Sequence, residues 1–219
     1  MTNPADLTLD EMRLALAPLI AAEAAFDGWS MAAVDNAAAR LGVPAASARL
    51  AFAGGAMAMI AAWTESIDHA MARALPPERI GNLPIRERIR TLVQFRLDAA
   101  APYKEALLRA LAVMAMPQNL ASAARLGWRS ADAMWRLAGD TAADYNHYTK
   151  RLTLGALYAS TLAIFAHDTS IGHTETRAFL DRRIEGVMRF EKAKAKLMKP
   201  RDEHFSPARL LGRLRYPAR

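Results

Sequence analysis

Between Leu152 and Ala166 the chain runs for fifteen residues without a charge. That run lies inside the segment GDTAADYNHYTKRLTLGALYASTLAIFAHD, from Gly139 to Asp168. Gly139 breaks what precedes it. Thr141 is placed to cap a helix, with Asp144 near the positive end of its macrodipole. One apolar stripe passes through Tyr145, Tyr148, Leu152, Ala159, Leu162 and Ala166. A second passes through Leu154, Leu157, Tyr158, Ile164 and Phe165. A helix that is apolar all round must be buried on every side. Fifteen residues fall short of the roughly 20 that span a bilayer, so the expectation is a central core helix. Gly155, Ala159 and Ala163 form a stripe of small residues that lets a partner helix or a second subunit approach. The first two turns differ in character. Asp144, Asn146, His147, Lys150 and Arg151 mix there with Tyr145 and Tyr148, which predicts an exposed recognition surface.

Alanine dominates, β-branched residues are few, and no stretch alternates with period two, so the chain is expected to be all-α. Over half of it is apolar, enough for a sizeable core. With no cysteine there is no disulfide and no thiolate metal site, which fits a reducing compartment. The start, MTNPADLTLDE, reads as neither a signal nor a transit peptide. These features lead to an expected cytoplasmic location, at the inner face of the cytoplasmic membrane. The net charge of +7 is concentrated: from Met188 to Arg219 ten Lys/Arg stand against three acids, and the remainder is neutral. The chain is therefore a neutral helical body with a basic tail.

In chain order, Thr8 and Glu11 have capping-box spacing ahead of a helix over residues 7–25. After FDGWS, Ser30 starts a second helix that Gly42 stops. Pro44 opens a short third helix ending at Gly54-Gly55. Helix, short helix, LGV turn and third helix form a helix-turn-helix outline, which resembles the N-terminal domain of tetracycline-repressor-like regulators. DNA recognition needs several phosphate and base-edge donors. The third helix, PAASARLAFA, offers only Arg49 and Ser47, and AGGAMAMI after it has no Lys or Arg at all. A bundle that binds no nucleic acid is the better reading.

A long helix over residues 55–75 follows, stopped by Pro76-Pro77. Glu65 and His69 on it read as a solvated pair, too few for a metal site. Pro84, Pro102 and Pro117 open or divide the next helices. Leu107, Leu108, Leu111, Val113, Met114 and Met116 are core-like, as are Leu126, Trp128, Met134, Trp135 and Leu137. A Met-rich lining also suits an adaptable ligand cavity. After the TSIGH loop, Thr174 is expected to cap a last long helix that Pro200 ends. The five histidines sit in separate segments, and there is no phosphate loop or nucleophile elbow. No catalytic site, metal or cofactor is therefore expected. Beyond the RDEH linker, Phe205, Leu210, Leu211 and Leu214 make one side of an amphipathic piece, and Arg209, Arg213 and Arg215 the other. Such pieces lie on anionic membranes. The expected division is 1–54 for the helix-turn-helix-like bundle, 55–199 for a helical lipid-binding and dimerisation domain, and 200–219 for the linker and membrane helix.

The segment GDTAADYNHYTKRLTLGALYAST, with HDTS and TRAFLDRRIEGVM after it, resembles the accessory lipid-binding proteins of ubiquinone (coenzyme Q) biosynthesis. The specific signature is the D-x-N-x-YTKR run followed by FL-D-RRI. The early FDGWS, LGV and AGG elements also correspond. The resemblance implies a tetracycline-repressor-like fold without DNA recognition, and a homodimer. It also implies an isoprenoid quinone bound in the helical body, membrane attachment through a C-terminal helix, and delivery of the lipid to the demethoxyubiquinone hydroxylase. By position, the partner surface takes in Asp132, Met134, Trp135, Asn146, His147, Tyr148 and Arg151. The lipid is expected among Phe95, Leu111, Met114, Trp135, Tyr158 and Leu162, and the membrane contact at Phe205, Arg209, Leu210, Leu211, Arg213 and Leu214. The family often carries Trp where this chain has His147, so an anchor of smaller area is expected there. The competing reading is a tetracycline-repressor-like ligand-responsive transcriptional regulator.

Overall fold

Thr8 begins the first helix by the predicted exchange. Its hydroxyl accepts from the Glu11 N–H at 3.3 Å, and the Glu11 carboxylate accepts from the Thr8 N–H at 2.9 Å. These two bonds satisfy donors that the start of a helix leaves open. In this computed structural model residues 7–140 and 145–198 are described, with side chains over 7–140 and 147–190. Every regular element among them is helical. The elements are α1 (Leu9–Asp27), α2 (Met31–Leu41), α3 (Ala45–Ala51), α4 (Gly55–Ala74), α5 (Pro77–Ile80), α6 (Ile85–Ala100), α7 (Lys104–Met114), α8 (Leu120–Leu137), α9 (Tyr145–His167) and α10 (Thr174–Met198).

In α1, Met12, Leu16, Ile20 and Ala24 recur at i, i+4 and are buried. That stripe packs against α2, α3, α4 and α7. Each large apolar side chain so buried contributes about 1.5–3 kcal/mol relative to exposure. The FDGWS element then turns the chain. Gly28 adopts φ +67°, a left-handed value that a side chain would strain. Trp29 folds inward, where its indole N–H donates to the Ala106 carbonyl at 3.0 Å. Its ring lies 5.5 Å from that of Trp63, which meets Tyr103 edge-on at 6.1 Å. One aromatic row, buried at its two tryptophans, thus joins the first turn to α4 and to the start of α7. Ser30 caps α2 as expected, accepting from the Ala33 N–H at 3.4 Å.

Helix α4 crosses the middle of the body and packs on α1, α6, α7 and α8. Met59, Ile60, Trp63 and Met71 are its buried face. Arg88 on α6 is a clamp. Its guanidinium donates to the carbonyls of Leu83 (2.8 Å), Ala138 (2.7 Å) and Gly81. Ala138 ends α8, so a cation sits on carbonyls at the negative end of that helix.

Helix α9 departs from expectation. It packs on α6, α7 and α8, burying Leu154, Leu157, Phe165 and Ala166. Its other face is open: Leu152 is 63 % exposed and Ile164 40 %. Thr153, Ala156, Ala159 and Ala163 are exposed as well. A helix buried on all sides needs neighbours all round, and among the described residues α9 has them on one side only. The predicted cap at Thr141 lies outside the described residues.

The start of α10 brings a second correction. Thr174 is the first residue of the helix, not its cap. The carboxylate of Asp168, carried in from the end of α9, accepts from the Thr176 N–H (2.9 Å) and hydroxyl (2.5 Å). It also accepts from the Ser170 N–H (2.8 Å) and hydroxyl (2.6 Å). Burial pushes the Asp168 carboxyl up, but these bonds outweigh it and hold it well below the usual carboxylate range. Lys104 on α7 donates to the Asp168 carbonyl, so the HDTS loop is fixed at both its backbone and its side chain.

The chain forms one compact unit through Ile184 and a second from Glu185 onward. In the second, Arg189 and Glu185 pair at 3.1 Å along α10. No single described helix is long and apolar enough to cross a membrane. The bent pair α3–α4, broken by 87°, would reach that length and composition together.

Candidate functional site

The YTKR run opens α9 against α8, and its two basic residues do different work. Arg151 is only 2 % exposed. Its Nε donates to Asp132 Oδ1 at 2.6 Å, and its Nη1 to Asp140 Oδ2 at 3.0 Å and to the His147 carbonyl at 3.1 Å. Lys150 donates to the other Asp140 oxygen at 2.6 Å and lies 5.5 Å from the Trp135 ring centroid. The Trp135 indole N–H returns a bond to the Lys150 carbonyl at 2.9 Å. The run therefore locks the first turns of α9 onto the last turns of α8. A buried guanidinium is tolerated because two carboxylates neutralise it.

This geometry sorts the seven residues predicted for a partner surface. Met134 is fully buried in the α8 core, and Arg151 is consumed by the lock; neither offers area to a partner. Asp132 binds Arg151 and also Arg136 at 2.8 Å. Trp135 and His147 are half-buried, Tyr148 is 59 % exposed, and the Asn146 side chain lies outside the described residues. Around Tyr148 the structure gathers His147 with Trp128 and Leu152, the last two assigned to the core by sequence patterning. The Trp128 ring is 6.0 Å from that of Tyr148 and 6.3 Å from that of His147, and His147 meets Tyr148 edge-on at 5.2 Å. Leu152, one turn on, is exposed too. Trp128 fits the apolar pattern of α8, so only its pairing with α9 reveals that it rises to the surface.

The six residues predicted to line a lipid site, Phe95, Leu111, Met114, Trp135, Tyr158 and Leu162, are all half-buried and come from α6, α7, α8 and α9. Phe95 lines a groove of about 420 Å³ between α6 and the first half of α10, with Leu75 and Leu180 as its other apolar walls. Two ion pairs rim it, Arg90–Asp181 at 2.7 Å and Arg177–Asp98 at 3.6 Å. Next to Phe95, Arg96 turns the other way and is 2 % exposed. It pairs with Asp68 of α4, donates to Ser130 Oγ of α8 at 3.0 Å, and holds its guanidinium 4.9 Å from the Tyr158 ring centroid of α9. One side chain thus ties four helices together. Sequence patterning passed over it because a single arginine carries no spacing.

At the other end of the chain, Arg49, the one base of α3, is held by the Asp35 carboxylate in a two-pronged bond of 2.8 and 2.7 Å. The Arg49 hydrogen bond keeps the Asp35 carboxyl below its ordinary range. Glu65 and His69 sit 4.0 Å apart and half-exposed, a solvated pair as expected. The predicted membrane residues Phe205, Arg209, Leu210, Leu211, Arg213 and Leu214 lie outside the described residues.

The COQ9 family model matches residues 120–191, the span of α8, α9 and most of α10. Among curated proteins, the chain is 30 % identical over 167 residues to the mitochondrial ubiquinone biosynthesis protein COQ9 of Rattus norvegicus, covering 74 % of this chain and 54 % of that one. It is also 30 % identical over 168 residues to the COQ9 of Homo sapiens, covering 74 % and 52 %. The chain thus spans about half the length of these relatives. Among solved structures, a TetR transcriptional regulator from Nitrosomonas europaea superposes with a TM-score of 0.63 at 24 % identity, covering 80 % of this chain and 96 % of that one. The relatives are named as mitochondrial, which overturns the expected cytoplasmic location at the inner face of the cytoplasmic membrane. The absence of cysteine did not discriminate between compartments. The resemblance carried by the D-x-N-x-YTKR and FL-D-RRI runs holds: in sequence this chain is similar to the COQ9 ubiquinone biosynthesis proteins, on an all-helical fold of the TetR type.

Proposed function

We propose that this protein serves ubiquinone biosynthesis as a non-enzymatic accessory. It binds an isoprenoid quinone intermediate in the helical body over 55–199 and presents it to the demethoxyubiquinone hydroxylase at a membrane surface. The observation that carries the reading is the similarity to COQ9 proteins, which falls on the α8–α9 pair where aromatic groups reach the surface. The half-buried apolar groups of α6, α7, α8 and α9 supply a route for an apolar chain into the body. The docking surface is Trp128, Tyr148, His147 and Leu152. Arg151, Asp132 and Asp140 hold its two helices in register rather than touching the partner. The open Ala-rich face of α9 is the dimer contact, and the tail over 200–219 attaches to the membrane. Mass spectrometry of lipids carried through native purification tests the central claim. A headed isoprenoid in stoichiometric amount is the expected result, and protein free of lipid refutes it.

The TetR-type fold favours one other reading, a ligand-responsive regulator. Against it stands Arg49, bound in two-pronged fashion to Asp35. Most of the attraction between a protein and DNA comes from neutralising phosphates, and an arginine already paired with a carboxylate contributes little to it. A mobility-shift assay against genomic fragments is expected to give no salt-sensitive, sequence-selective complex.

A further inference from the structure

We infer that the corner between α7 and α8 is a second membrane contact, an apolar tip with a basic flank that seats on an anionic bilayer and orients the body there. The inference rests on the membrane reading above and adds a site on the body itself. Residues 110–124 hold no charge, and residues 106–131 hold no Asp or Glu. Met116 reads as core in the sequence, yet it is 43 % exposed, and Leu120 is 55 % exposed. Ala112, Ala115, Pro117 and Ala121 beside them are exposed as well. The Asn119 N–H donates to the Met116 carbonyl at 2.8 Å, and the Asn119 side-chain amide donates to the Val113 carbonyl at 2.8 Å. These bonds pin the start of α8 to the end of α7, so the tip is presented with little ordering left to do on binding. Apolar side chains exposed singly are ordinary, but a charge-free group of them at one corner marks an interaction site. The flanking charges name the occupant. Arg125 turns back toward the corner to donate to Ser122 Oγ at 3.0 Å, and Arg129 follows one turn on. Both are exposed, and neither meets a carboxylate among the described residues. Arg109, on the other side of the run, is held by Glu105 at 3.3 Å. Unpaired cations beside an acid-free apolar tip complement lipid phosphates lying over hydrocarbon. Each arginine near an anionic surface strengthens binding about fivefold. Two of them do not hold a protein on a membrane alone, so the corner orients a body that the tail tethers.

The test uses the full chain and vesicles of mixed phosphatidylcholine and phosphatidylglycerol. The chain has no cysteine, so one introduced thiol gives one labelling site. An environment-sensitive fluorophore is attached at Leu120→Cys and, as a control, at Phe26→Cys on α1, where the native side chain is 84 % exposed. On adding vesicles the label at 120 is expected to shift to the blue and to be quenched by lipids carrying a nitroxide high on the acyl chain. The label at 26 is expected to do neither. The double variant Arg125→Ala with Arg129→Ala is expected to weaken vesicle affinity about tenfold or more. Its melting temperature is expected to stay unchanged, because both side chains are exposed. Protein that floats with vesicles while the label at 120 stays unmoved overturns the inference and leaves membrane attachment standing. So does wild-type affinity in the double variant, an equal response from the label at 26, or a label at 120 that is shielded by the hydroxylase and not by vesicles, which would make the corner a protein-docking face. Failure of the unmodified protein to float at all overturns the membrane reading together with the inference.

Discussion

Tyr148 and Arg151 stand one turn apart on α9 and make opposite predictions. Tyr148 is exposed, so Tyr148→Ala is expected to leave the melting temperature within about a degree, as surface changes usually do, and to abolish capture of the hydroxylase in a pull-down. Arg151→Ala removes the buried cation between Asp132 and Asp140 in the α8–α9 seam and leaves them only the more exposed Arg136 and Lys150. Removing one partner of a buried ion pair costs about 3–5 kcal/mol, so this variant is expected to melt several degrees lower by calorimetry. Early melting of Tyr148→Ala, or full capture by it, refutes the docking surface. Asp168 makes a prediction in pH. Its folded pKa lies below the unfolded value, so its stabilisation is fully present above the ordinary carboxylate range near pH 4, shrinks below it and is lost as pH falls through the folded pKa. Asp168→Ala is expected to cost about 2–3 kcal/mol at pH 7, by leaving the start of α10 without its acceptor. The gap from wild type in urea melts is expected to narrow as the pH drops from 5 to 3.

At the scale of elements, α9 carries most of what is proposed. One face meets α8, and Gly155 belongs to that face: a Cβ there would sit 4.0 Å from Ala131 Cβ. Ala159 and Ala163 of the same stripe look outward beside Ile164. The predicted stripe of small residues therefore serves two neighbours, one within the chain and one proposed in a second copy. Ala159→Glu puts a charge in the middle of the outward face without touching the core. It is expected to halve the mass seen by sedimentation while leaving the helical signal unchanged. An unaltered mass, or a wild-type protein that already sediments as a monomer, refutes this contact. The caps show how far local signals reach. Thr8 and Ser30 cap α1 and α2 as their spacing implies, because the bonds involved close within three residues. Thr174 fails because Asp168, six residues earlier, folds back to take the α10 donors first.

For the whole molecule, the uneven charge leads to one more expectation. The basic segment after Met188 is separable from the neutral body in composition, and the chain through Ile184 has its own core. Deleting residues 205–219 is expected to leave melting unchanged and to abolish flotation with anionic vesicles. Binding by the intact protein is expected to weaken with salt, since screening at physiological strength acts within about 8 Å. Undiminished flotation of the deletion variant refutes the assignment.

The sequence by itself determined the helical class, the order and approximate limits of the helices, the fold type and the COQ9 resemblance. Each of these depends on short-range periodicity, on turn residues such as Gly28 and Gly42, or on runs of residues read in line. It did not determine what the signature residues do. Lys150 and Arg151 read as surface charges until α8 brings Asp132 and Asp140 against them. Trp128 reads as core until Tyr148 is seen beside it. Leu152 and Ile164 read as buried because periodicity counts apolar residues, not neighbours. Arg96 shows no pattern until four helices converge on it. Burial and pairing are properties of contacts between segments distant in sequence, so only the tertiary structure could decide them.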